Sequence, residues 1–98
     1  MPNREEILEA LKTVIDPELG INIVDLGLVS EIFVEPSSVV VHFMTTTHAC
    51  PLGDLIKAEI QKVVADKLPA TCSVIVIQDT DVSWNKDRLS DAAKKTLG

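Results

Sequence analysis

Leu52, Leu55, Ile56, Ile60, Val63, Val64 and Leu68 recur at three- to four-residue spacing, and Pro69 closes the run. That spacing lays one apolar stripe along several turns of helix, which must be buried against another element. The flanking sequence says what it covers. Leu28 to Val34 and Val39 to Thr45 are rich in β-branched and aromatic residues, and the intervening Glu35-Pro36-Ser37-Ser38 offers turn chemistry. These two runs predict an antiparallel hairpin. Beyond the helix, Cys72 to Ile77 (CSVIVI) is apolar at nearly every position, the pattern of a strand buried on both faces. A strand, helix and strand in sequence imply a right-handed crossover, so the third strand should run parallel to the second. The expected sheet order is first, second, third.

Ahead of the hairpin, Ile7, Leu8, Leu11, Val14 and Ile15 predict another helix, stopped before Pro17. Asn3 is its expected N-cap, with Glu5 and Glu6 near the positive end of the helix dipole. Near the end of the chain, LSDAAKKTL predicts a short C-terminal helix. The order is α-β-β-α-β. With 98 residues, 46% of them hydrophobic, residues 1–98 should form a single domain with one core. The fold class is α+β: a two-layer domain with a three-stranded mixed sheet and both main helices on one face. On the other face Val29, Phe33, Val40 and Met44 are expected to alternate with Ser30, Glu31 and His42. That partly apolar surface calls for a cover, either the tail carrying Trp84 or a second subunit.

Composition removes several function classes. Fifteen acids against nine bases give a formal charge of −6, and Phe33, Phe43 and Trp84 are not interleaved with Lys or Arg. Nucleic-acid binding through phosphate neutralisation or base stacking is therefore not expected. No apolar run approaches the roughly 18 residues of a membrane span. The opening MPNREEILEA is polar and acidic where a signal peptide would be basic and then apolar, so a cytoplasmic protein with no membrane association is expected. Cys50 and Cys72 lack the C-x-x-C spacing of a self-contained zinc site and are too few for a disulfide scaffold.

The chemistry concentrates in TTTHACPLGDL, residues 45–55, which joins the second strand to the long helix. Cys50 falls at the expected N-cap and Pro51 at the first helical position, where its missing N–H costs nothing. Unpaired N–H groups at a helix start favour anions and raise the thiolate fraction of a cysteine there. Cys50 is thus a candidate ligand or nucleophile, against the plainer reading of a small buried residue. His48 could serve it as a base, although an exposed loop histidine is the simpler reading. The Thr45, Thr46 and Thr47 hydroxyls extend the strand or hydrogen-bond a thiolate or ligand. Cys72 opens an apolar strand and reads as a core or edge residue, and His42 reads as structural.

Three blocks, VIDPELGINIVDLGLV, MTTTHACPLGDLI and SWNKDRLS, occur in this order and at these separations. Together they resemble the SufT-like and PaaD-like family of iron–sulfur cluster assembly domains over nearly the whole chain. The chain departs from the pattern at Val82-Ser83, where members often carry two prolines, and in a shorter segment from Thr47 to Cys50. The resemblance implies an α-β-β-α-β fold like other iron–sulfur carrier domains. It places the family's motif acids on Asp16, Glu18 and Asp25 and its motif cysteine on Cys50. Read as structure alone, Asp16 caps a turn over Pro17, Glu18 is solvated and Asp25 caps the bend before Gly27.

The expected function is an iron–sulfur cluster assembly or transfer factor and not an enzyme, with Cys50 as metal ligand and Thr47, Asp16, Glu18 and Asp25 around the cluster. A cluster takes about four ligands, mostly thiolates. A single thiolate must therefore share it, transiently, with a second copy in a homodimer or with a client. Partners are client iron–sulfur apoproteins and proteins of the assembly machinery. A metal-free adaptor that docks clients is the alternative, and an enzyme with Cys50 as nucleophile is a further one.

Overall fold

The computed structural model describes residues 2–17, 19–45, 52–79, 88–91 and 95. Helix α1 (Arg4–Leu11) starts at a capping box: Asn3 Oδ1 accepts from the Glu6 N–H at 2.9 Å, and Glu6 Oε1 accepts from the Asn3 N–H at 3.4 Å. Two orphan donors of the first turn are satisfied reciprocally. Ile7 and Leu11 are fully buried.

Helix α1 stops at Leu11, earlier than the apolar spacing predicts. The Thr13 hydroxyl donates to Ala10 O at 2.7 Å, while the Val14 carbonyl and Asp16 N–H turn to Ile23 N and Ile21 O, at 2.9 and 3.0 Å. Those bonds open a short antiparallel loop, bridged at Ile15 and Asn22, that a continuing helix would forbid. Val14 still reaches the core, whereas Ile15 is 51% exposed.

Strands β1 (Val29–Val34) and β2 (Ser38–Phe43) form the predicted antiparallel hairpin, closed by the Glu35 N–H on Ser38 O at 2.8 Å. Helix α2 (Leu52–Ala65) crosses over to β3 (Ser73–Gln78), which pairs parallel with β2. The sheet order is β1-β2-β3, as expected. Val39, Val41 and Phe43 alternate along β2 and are fully buried, beneath α2 residues Ile56, Ile60 and Val64 and with α1 residues Ile7 and Leu11 in the same core.

Three expectations about faces are corrected. Leu55 belongs to the apolar spacing of α2 but is 56% exposed. Strand β3 is an edge strand and not a doubly buried one: Val76 is buried while Ile75 and Ile77 are 46% and 40% exposed. Val29 and Met44 do not belong to the open face. A register shift between Val29 and Glu31 inserts an extra residue into β1, so Val29 pairs with Phe43 and packs on the core. Met44 is buried, its N–H on Leu28 O at 2.8 Å. Phe33 and Val40 do lie on the open face. The segment carrying Trp84, and most of the expected C-terminal helix, lie outside the described residues.

Burial separates the two ends of the α2 stripe. Ile60→Ala should destabilise the fold by about 2–5 kcal/mol through the cavity it leaves, and Leu55→Ala by less than about 0.5 kcal/mol. Urea denaturation of the two variants checks the contrast.

Candidate functional site

The carboxyl ends of the parallel strands β2 and β3 lie side by side, with the Asp79 N–H on Phe43 O at 2.7 Å. The start of α2 is at the same end: a Cβ on Gly53 would collide with the Gln78 side chain, the last residue of β3. The sequence from Thr46 to Pro51 joins these two termini. Cys50, Thr47 and His48 belong to that segment, and Glu18 is likewise outside the described residues.

Asp16 and Asp25 are described, and both shape backbone. Asp16 is fully buried, and its Oδ1 accepts the Leu19 N–H at 3.2 Å while its carbonyl accepts the Gly20 N–H at 2.8 Å. Gly20 adopts φ +70°, which only glycine takes without strain. Asp16 therefore holds the tip of the loop between Val14 and Ile23. Asp25 is half-buried and exchanges bonds with Asn22: Asn22 Nδ2 donates to Asp25 Oδ2 at 2.8 Å, and the Asp25 N–H donates to Asn22 Oδ1 at 2.9 Å. Its carbonyl accepts the Ser90 N–H at 2.6 Å. Two residues on, Gly27 sits at φ +74° with the Arg88 backbone against it, and Arg88 Nε donates to Gly27 O at 2.7 Å.

The acidic loop and α2 meet across an open cleft of about 390 Å³. Thr13, Ile15 and Pro17 form one wall, and Leu55, Ala58 and Glu59 the other. The exposed Ile15 and Leu55 therefore face one another over the first turns of α2. Among the described residues, no three His, Cys, Asp or Glu side chains gather in a group fit to hold a metal ion. Cys72 lies just before β3 and is half-buried, at the sheet edge and not in its core.

Sequence reasoning missed Asp79. Its Oδ1 pairs with His42 Nδ1 at 3.0 Å, and its Oδ2 accepts the Ser30 hydroxyl at 2.7 Å. The imidazole, first, and the Ser30 hydroxyl, second, hold the Asp79 carboxyl below the usual carboxylate range. With Asp79 ionised, Nδ1 carries the proton of the bond, and the ring stands edge-to-face against Phe33 with centroids 5.9 Å apart. The available signal was register. His42 pairs with Ile77, so a polar residue two positions beyond Ile77 falls near it on the same face.

These features define a two-layer α+β domain with its acidic turns, the crossover-helix start and the carboxyl ends of two parallel strands gathered together. The chain belongs to the iron–sulfur cluster assembly protein family, whose model matches residues 4–83. It is 38% identical to the Fe–S protein maturation auxiliary factor YitW of Bacillus subtilis, over 97% of this chain and 93% of that one. It is 41% identical to the Fe–S protein maturation auxiliary factor SufT of Staphylococcus aureus, over 87% of this chain and 97% of that one. The fold matches the crystal structure of a domain of unknown function from Bacillus anthracis with TM-score 0.87 and 33% identity, over 96% and 90% of the two chains. A conserved hypothetical protein of Thermotoga maritima superposes with TM-score 0.81 and 34% identity, over 99% and 95%.

A depressed carboxylate pKa stabilises the folded state above the unfolded value and loses that contribution as pH falls through the folded one. The stability difference between the wild type and Asp79→Asn should therefore be present above the ordinary value of 3.8 and shrink as pH falls below it. Urea titrations of both proteins from neutral pH downward measure it.

Proposed function

We propose that this chain is an iron–sulfur cluster assembly or transfer factor that assists maturation of client iron–sulfur proteins, and that it turns over no substrate of its own. The observation that carries the reading is the family match over residues 4–83, joined by maturation auxiliary factors similar to this chain along almost their whole length. The cluster is cargo. Cys50 and Cys72 are the chain's only cysteines, and a cluster takes about four ligands, so other ligands come from a client or a second copy.

In this reading the whole chain works as one domain in the cytoplasm, and Cys50 is the cluster ligand. One residue, Pro51, separates it in sequence from the first residue of α2, and a helix start favours a thiolate by about 0.3–1 kcal/mol. Thr47 supplies a hydroxyl to the thiolate or to a cluster sulfide. Glu18, between Asp16 and Gly20 in the sequence, joins Cys50 and Thr47 around the cluster. Asp16 contributes by holding the loop whose Ile15 and Pro17 border the cleft, through its bond to the Leu19 N–H, and Asp25 by its exchange of hydrogen bonds with Asn22. The metal-free adaptor is a second reading, favoured by the apolar residues that the sheet leaves exposed.

Anaerobic reconstitution with iron and sulfide, followed by visible absorption, separates the two readings. The wild type and Cys72→Ser should develop cluster absorption and support transfer to an apoprotein, and Cys50→Ser should do neither. Serine differs from cysteine by one atom and fits the same space, and position 72 is a half-buried edge, so both variants should stay within about 0.5 kcal/mol of the parent. Full client maturation by Cys50→Ser would make the adaptor the correct reading.

A further inference from the structure

The sheet face turned away from the helices carries two rows of side chains that run across all three strands. In one row Phe33 of β1 is the register partner of Val40, and Val40 of Ile75. In the next, Glu31 pairs with His42, and His42 with Ile77. Phe33 is 48%, Ile75 46% and Ile77 40% exposed. Large apolar side chains gathered on one side of a sheet mark an interaction surface.

The charge around these rows says what fits them. No strand carries a Lys or Arg, and from Thr13 to Ile56 the sequence contains neither, while Glu31, Glu35 and Asp79 lie on or beside the sheet. The described Arg4, Lys12, Lys57, Lys62 and Lys67 belong to the helices or their ends, Arg88 commits its Nε to Gly27 O, and Lys95 is an exposed residue seven positions beyond it. Among the described residues the face is therefore apolar with an acidic border. A second copy would set an identical acidic border against it, whereas basic flanks complement it.

The surface is also built rigidly. His42 is held on one side by Asp79 and on the other by the edge-to-face contact with Phe33, which turns its Nε2 away from that carboxylate. Ser30 fixes the second carboxylate oxygen. Little ordering remains to be done on binding.

We infer that this face, centred on the Phe33–Val40–Ile75 row, docks a polypeptide segment of a partner protein that presents apolar side chains flanked by Lys or Arg. The apolar residues cover the row, and the flanks pair with Glu31 beside it and Glu35 at the end of β1. Neither Cys50 nor the acidic loop takes part, so the surface goes beyond the cluster chemistry and is tested apart from it.

The experiment uses the full chain and two fluorescein-labelled peptides with the same alternating Val/Leu core, one with Lys pairs at its ends and one with Glu pairs. Anisotropy should show binding of the Lys-flanked peptide that weakens with added salt, and amide chemical shifts should move at Val40, His42, Ile75 and Ile77. Ile75→Ser and Phe33→Ser should each weaken binding by about tenfold or more through lost apolar burial. Glu31→Lys, at an exposed position that leaves the core intact, should shift the preference toward the Glu-flanked peptide. Equal affinity for both peptides, or shifts confined to another surface, would overturn the proposal. So would sedimentation showing a dimer that Ile75→Ser dissociates, because a second copy would then be the occupant.

Discussion

Strand β2 is hydrogen-bonded along both edges, antiparallel to β1 and parallel to β3, and this double pairing dictates the rest of the molecule. A parallel neighbour cannot be reached by a tight turn, so the chain leaving Phe43 must cross the sheet before β3 begins. Helix α2 is that crossing. Its buried residues Ile56, Ile60 and Val64 cover Val39, Val41 and Phe43, and the helix necessarily starts where β2 ends. The site follows from topology as much as from residue choice: any crossover joining these strands brings a helix amino terminus to their carboxyl ends.

The acidic turns illustrate how one residue can look chemical and act mechanically. Asp16 is fully buried against the backbone of its own loop, and Asp25 is bound to Asn22. Asp16 takes up an N–H group that no helix or strand claims, while the Asp25 carboxylate accepts from the Asn22 side-chain amide and Asn22 Oδ1 takes up the Asp25 N–H. By fixing the loop that carries Ile15 and Pro17, Asp16 sets one wall of the cleft beside α2. A visiting group that engaged either carboxylate would compete with these bonds.

Much of the fold was legible because local and long-range signals agreed. The α2 stripe, the hairpin turn and the Asn3 cap each predicted an element that is present, and the crossover rule then fixed strand direction. The errors arose where one pattern admits two environments. Apolar residues on both sides of β3 look like double burial, yet an edge strand with one open face carries the same sequence. The extra residue in β1 reversed the alternation that had assigned Val29 outward, and no single-sequence pattern announces a bulge. Helix α1 ended early because the Val14 carbonyl and the Asp16 N–H pair with Ile23 and Ile21, a choice invisible to periodicity. The acids of the site were visible as residue types, but the commitment of Asp16 to the Leu19 N–H and of Asp25 to Asn22 was not. Asp79 could be found only by combining strand register with a residue outside every motif.

Gly27 carries a different kind of constraint. The first atoms a side chain there would meet are main-chain atoms of Arg88, brought in by the pairing of Ser90 with Asp25, and its φ already excludes most residues. No change of identity at position 88 could make room, because every amino acid brings the same backbone. The Asp25-Leu26-Gly27 turn thus works as a socket for a distant stretch of chain, specifying shape without regard to chemistry. The turn's shape is fixed by a neighbour that arrives sixty-one positions later.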